Sequence, residues 1–152
     1  MTPLKKFEEY IDQGIMRNVS INKERAKSLL LESERKFNSL KERTEKLSVK
    51  DDNATDYIEY CYDLPMHLVR AKLYCAGYCA SGQGAHEAEV SYLIKLDFSE
   101  KELRFMDQLR YFRNGILYYG TRLDEEYAKK VIEFTNKQYP RLKEIVKKDL
   151  EK

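Results

Sequence analysis

The densest chemistry in the chain lies in one segment, Leu109-Arg110-Tyr111-Phe112-Arg113-Asn114-Gly115-Ile116-Leu117-Tyr118-Tyr119-Gly120. Arg110 and Arg113 are three apart and share a face if the segment is helical. Arg113 also falls on the edge of the apolar stripe made by Met106, Leu109 and Leu117. A guanidinium there is partly desolvated and requires an acceptor. The acceptor is either a carboxylate of the same fold, such as Asp56, Glu59 or Asp63, or a phosphate, which the planar fork grips in bidentate fashion. Asn114 and Tyr118 are four apart and can touch. Gly115 inside a helix costs about 1 kcal/mol relative to Ala. Its bare Cα suggests the close approach of another helix, a subunit or a ligand. Tyr111, Tyr118 and Tyr119 beside the arginines suit stacking on a nucleotide.

Only two imidazoles are present, His67 and His86. His67 follows Pro65 in a long amphipathic pattern and reads as a structural or surface residue. His86 follows Ser81-Gly82-Gln83-Gly84-Ala85. Glycines before a helix can cradle an anion, but no Gly-Lys-Ser/Thr follows, so this is not a Walker loop. One reading is a plain connection in which Ser81 or His86 helps to cap the next helix. The other is a functional loop that brings His86 near Arg113 and supplies an imidazole there. The cysteines, Cys61, Cys75 and Cys79, are odd in number and lack zinc spacing. They read as reduced structural thiols. No metal site and no cofactor is expected.

These residues need elements to hold them. A short helix is expected within residues 3–16, ending at Gly14. A long helix starts at Asn22 as N-cap, with a stripe of Ala26, Leu29, Leu30, Ser33, Phe37, Leu40 and Leu47 at steps of three and four. A second periodic segment spans about 54–80, with Pro65 expected to kink it rather than end it. Its tyrosines (Tyr57, Tyr60, Tyr62, Tyr74, Tyr78) read as core and subunit contacts. A shorter helix is expected over about 86–95. Ser99 and Glu102 form a capping box that opens the helix carrying Arg113, and Gly120 stops it. Asp124 opens the last helix, where Pro140 is expected to introduce a bend. No alternating strand pattern is visible. The fold class is all-α: an up-and-down helical bundle of four to five main helices plus a short N-terminal helix. Residues 1–20 are expected to form an N-terminal arm or short helix and 21–152 a single helical domain.

The Arg113-Asn114 pair, followed five positions later by Tyr118, resembles the signature of the HEPN domains (higher eukaryotes and prokaryotes nucleotide-binding). These are all-α bundles of about this size, whose motif is Arg, a polar residue, and His after four to six intervening positions. The resemblance covers roughly residues 20–150. It implies a protein that binds RNA or a nucleotide, including as a metal-independent endoribonuclease of a toxin–antitoxin or defence system. It further implies a homodimer and a minimal nucleotidyltransferase as partner. Arg113 would bind the scissile phosphate and Asn114 would orient neighbours. The catalytic His position falls on Tyr118 or Tyr119, with Arg110, Tyr119 and His86 as substrate contacts. A phenol with an ordinary value near 10 is ionised at about one part in a thousand at pH 7. Replacing imidazole by phenol removes much of the general acid–base contribution, typically about 10²–10⁴ in rate. The rival reading is a non-catalytic dimerisation or protein-interaction module with Arg113 in a structural ion pair.

Composition sets outer limits. The 152 residues include 28 bases and 26 acids, a net charge of +2, so the whole protein exerts no strong pull on nucleic acid. The charge is nonetheless segregated. Residues 1–50 hold 12 bases and 8 acids, residues 51–100 hold 3 and 9, and residues 101–152 hold 13 and 9. The acidic middle and basic ends can pair within one fold or between subunits. Mean hydropathy is −0.71, and no apolar run reaches membrane-spanning length. The start lacks the apolar core of a signal peptide, so a cytoplasmic protein is expected.

Overall fold

A computed structural model describes residues 3–120 and 122–152, without the side chain of Tyr118. Helix α1 (Phe7–Asp12) leads into strand β1 (Met16–Asn18) and the long helix α2 (Lys23–Leu47). Helix α3 (Ala54–Ala76) is followed by strand β2 (Tyr78–Ala80) and the short helix α4 (Ala85–Ser91). A 3₁₀ segment (Tyr92–Leu96) then precedes α5 (Glu100–Tyr119) and α6 (Glu125–Leu150). The chain is a helical bundle, 75% helix and 4% strand. No helix among the described residues is long and apolar enough to cross a membrane.

Helix α3 is the central element because it is apolar on most of its circumference. Ile58, Cys61, Leu64, Leu68 and Ala71 bury one side, while Tyr62, Met66, Val69 and Leu73 bury another. A helix with apolar residues nearly all round belongs in the interior. Each fully buried Leu or Met contributes about 1.5–3 kcal/mol relative to exposure. Helix α2 offers a single stripe instead, burying Ala26, Leu30, Ser33, Phe37 and Leu40. Phe37 stacks on Tyr139 of α6 with ring centroids 4.1 Å apart. Helix α5 reaches α6 through aromatic rings: Phe105 lies 4.4 Å from Phe134, and Phe112 meets Tyr127 edge-on at 5.3 Å.

The expected boundaries are set by side-chain caps. Asn22 Oδ1 accepts from the backbone N–H of Arg25 at 3.0 Å. Ser99 and Glu102 exchange reciprocal bonds of 3.1 and 2.9 Å, and Asp124 accepts from Tyr127 at 2.9 Å. Gly120 closes α5 in the left-handed region. Helices α3 and α6 run uninterrupted through Pro65 and Pro140.

The structure corrects the expectation that the chain has no strand. Met16–Asn18 pairs antiparallel with Tyr78–Ala80, in the register Met16 to Ala80 and Asn18 to Tyr78. Helix α3 therefore ends at Ala76 rather than near residue 80. Three-residue strands are too short for an alternating pattern to stand out. Gly77, at φ +81°, makes the switch from helix to strand. The ribbon extends through Val19 N–H to Gly77 O (2.8 Å) and Ser81 N–H to Ile15 O (3.0 Å). It ties the N-terminal arm to the end of α3, and Phe7, Tyr10 and Met16 join the same core.

A Cβ at Gly77 would lie 3.0 Å from the carbonyl oxygen of Val19, whereas one at Gly14 (φ +73°) would meet nothing within 4 Å. Both substitutions strain a left-handed backbone, but only the first also presses on the ribbon. Gly77→Ala should lower stability by about 2–3 kcal/mol and Gly14→Ala by about 1 kcal/mol. Urea denaturation of the two variants checks the order.

Candidate functional site

Arg113 lies on the last turns of α5, against α3. Its Nη2 forms an ion pair with Asp63 Oδ1 at 2.9 Å, and its guanidinium sits 5.4 Å from the centroid of the Tyr62 ring. The side chain is 19% exposed and that of Asp63 28%. Its Nε is buried and finds no acceptor among the described residues. Of the three carboxylates that the sequence offered, Asp63 is the partner. Glu59, one turn earlier, is held above the usual carboxylate range by burial; Arg113 opposes this, and Asp56 and Asp63 add to it. The Arg113 charge thus faces Asp63 and acts on Glu59 along one edge of α3. Asn114 is half-buried beside it, and Tyr119 is 85% exposed at the helix end. The side chain of Tyr118 lies outside the described residues.

Arg110 has a different fate although it shares the helix. It is only 6% exposed. Its Nε donates to Asp107 Oδ1 at 2.8 Å and its Nη1 to Glu87 Oε1 of α4 at 2.6 Å. Three residues along a helix leave two side chains about 60° apart. That divergence turns Arg110 towards α4 and Arg113 towards α3. Arg110 is held by two carboxylates, whereas Arg113 is held by one.

His86 is anchored elsewhere. Helix α4 begins at Ala85, and its N-cap is Gly84 at φ +88° with no side-chain cap. Neither expected capping residue caps: Ser81 Oγ accepts from Arg17 at 2.7 Å, and His86 Nδ1 faces Glu89 Oε1 at 3.3 Å. Glu89 in turn accepts from Arg70 Nε at 2.7 Å and Nη2 at 3.1 Å. Burial alone would raise the Glu89 carboxyl, but the bonds from His86 and Arg70 outweigh it and hold the group below its ordinary range. Asp63 and Arg70 are seven residues apart, about 10 Å along α3. His86 is therefore fastened two turns away from the residue that anchors Arg113, and the structure does not gather the two into one site.

Two neighbours of this seam, read from sequence as a core tyrosine and a structural or surface histidine, were not connected with Arg113 by that reading. Tyr62 is buried beneath Arg113, and burial pushes its phenol upward. His67 lies one turn beyond Asp63 on α3, with both ring nitrogens buried and without partners among the described residues. Only the i, i+4 spacing from Asp63 could have signalled it. Among the described residues, no group of three or more His, Cys, Asp or Glu side chains could hold a metal ion. No protein-family model, no curated protein and no solved structure matches this chain.

Burial pushes the His67 imidazole below its ordinary value of 6.5; Arg70 and Lys36 act the same way, against Asp63 and Glu32. On acidification through 6.5 the unfolded chain takes up a proton that the folded chain resists, so this residue costs stability as pH falls. The wild type should lose more stability than His67→Gln between pH 7.5 and pH 5.5, a window of about one pH unit either side of that value. Chemical denaturation at both pH values measures it.

Proposed function

We propose that this chain is a HEPN-like protein that binds RNA or a nucleotide through Arg113, with Asn114, Tyr118 and Tyr119 of the same helix end as further contacts. The observation that carries the reading is the state of Arg113. Nη2 is paired with Asp63, the side chain is partly open to solvent, and Nη1 has no acceptor among the described residues. A phosphate oxygen is a suitable acceptor for such a fork. Arg110 already serves two carboxylates, so its part is to stiffen α5 behind Arg113 rather than to meet the ligand. His86 is anchored to Glu89, away from the Arg113 seam, and the ring nitrogens of His67 beside it are buried. The proposal therefore rests on phosphate binding. Metal-independent RNA cleavage, in a toxin–antitoxin or defence setting with a minimal nucleotidyltransferase partner, is the added property that the resemblance implies.

A homodimer belongs to the same proposal. Tyr111 is 50% exposed and Leu117 49% on the C-terminal half of α5, with Tyr119 beyond them. Exposed aromatic and aliphatic side chains on one helix end are suited to a protein interface. Leu117→Glu should convert a dimer into a monomer, as read by light scattering.

The 2.9 Å Asp63–Arg113 pair favours a second reading, a non-catalytic dimerisation or protein-interaction module in which the pair is structural. Asp63→Asn separates the two. If Arg113 reads phosphate, removing the competing carboxylate should tighten binding of single-stranded RNA by about threefold to tenfold, and Arg113→Ala should abolish it. If the pair is structural, Arg113→Ala should cost about 1–3 kcal/mol of stability, because Asp63 is left alone beside Glu59, and RNA binding should be absent throughout. Incubation with RNA in EDTA tests the catalytic extension: equal cleavage by wild type and Arg113→Ala would remove Arg113 from catalysis.

A further inference from the structure

A cavity of about 430 Å³ opens between the start of α2, the end of α3, β2 and α4. Its size is that of a small-molecule site. Three basic side chains from three different helices line it: Arg25, Arg70 and His86. The one carboxylate in the lining, Glu89, is 6% exposed and is occupied by two of them. Glu89 takes Nε and Nη2 of Arg70, which leaves Nη1 with no partner among the described residues. Arg25 has no carboxylate within ion-pair distance among the described residues. Its guanidinium lies instead over the Tyr74 ring, 4.9 Å from the centroid. A cation–π contact holds a guanidinium in place without neutralising it. The cavity therefore presents more positive charge than its own residues cancel, beside apolar wall contributed by Leu73 and Ala80.

We infer that this cavity binds a small phosphomonoester, with the phosphate between Arg25 and the open edge of Arg70 and the organic part against the wall of Tyr74 and Tyr78. A planar guanidinium is matched to phosphate oxygens, and this cavity is lined by one from α2 and one from α3. Glu89 acts at one remove: it holds Arg70 and His86 in place at the cavity wall. The inference is independent of Arg113, which does not line this cavity.

The probes are 5′-AMP, adenosine and inorganic phosphate, titrated calorimetrically against the full chain. AMP should bind, inorganic phosphate should compete with it, and adenosine should fail to bind. Arg25 is exposed on α2, so Arg25→Ala keeps its fold, and it should weaken AMP by about tenfold or more through loss of a charge-assisted contact. Arg113→Ala should leave AMP affinity unchanged. Cys79 lines the same cavity, with its Sγ 3.7 Å from Tyr74 Oη. In a Cys75→Ser background, AMP should slow alkylation of Cys79 by iodoacetamide. Absence of AMP binding, equal affinity in wild type and Arg25→Ala, or equal binding of adenosine and AMP overturns the inference. Loss of AMP binding in Arg113→Ala but not in Arg25→Ala would move the phosphate site to the α3–α5 seam and overturn it as well.

Discussion

Helix α4 has only seven residues, yet two arginines from the long helices are fastened to it. Glu87 receives Arg110 of α5, and Glu89 receives Arg70 of α3. An isolated helix of this length has no stability in water. Its place is fixed by burial of Ala88 and Val90 and by these two ion pairs. Pairs of this kind are weak evidence for net stability, because desolvation offsets much of the attraction. Their consequence is geometric. With Glu87 and Glu89 bound to different helices, α4 cannot rotate without leaving a buried charge alone. The same contacts commit Arg110 inward, leave Arg113 to meet α3, and set Arg70 and His86 along the wall of the α2–α3–α4 cavity.

The segregated charge of the sequence is resolved within the fold. The acidic middle supplies Asp63, Glu87 and Glu89, and two of these three meet arginines from the basic C-terminal third. Lys72 pairs with Asp149 and Lys143 with Glu34, so α6 is joined to α3 and α2 as well. Little uncancelled charge is left to act at long range. Contact with a polyanion must then be made locally, by a few donors in a defined position, rather than by a field that gathers it from solution.

The long helices were legible because periodicity and caps agreed. Asn22, Ser99, Asp124 and Gly120 each act at the boundary where their chemistry places them. The ribbon was not legible, since its strands are three residues long and join segments some sixty positions apart. The Arg113 acceptor was legible to within two turns: Asp56, Glu59 and Asp63 lie along one edge of α3, and the packing of α5 on α3 selects Asp63. Glu87 and Glu89 could not be assigned from spacing. Residues two apart point in different directions on a helix, and their partners lie 23 and 19 positions away. Arg25 was hidden for another reason. On α2 it belongs to the charged outer face, which reads as solvated until β2 and α4 fold over against it.

Shared spacing on one helix does not give shared function. Arg110 and Arg113 look equivalent by periodicity, with a basic residue at each of two adjacent turns. The difference arises from what each faces. Arg110 meets a carboxylate of its own helix and one from α4, which occupy two of its donor positions and bury the side chain. Arg113 meets a single oxygen of Asp63 on a rim that stays partly open. A desolvated guanidinium with two carboxylate partners has little to gain from an incoming anion, because binding would expose those carboxylates to repulsion. Arg113, with a single partner, keeps Nη1 without an acceptor among the described residues. The same reasoning separates Arg70, whose Nε and Nη2 are taken by Glu89, from Arg25, which is positioned by an aromatic face and keeps its full charge. In each pair the first arginine is fixed by two hydrogen bonds to carboxylates of the fold, and the second keeps more of its donors unpaired.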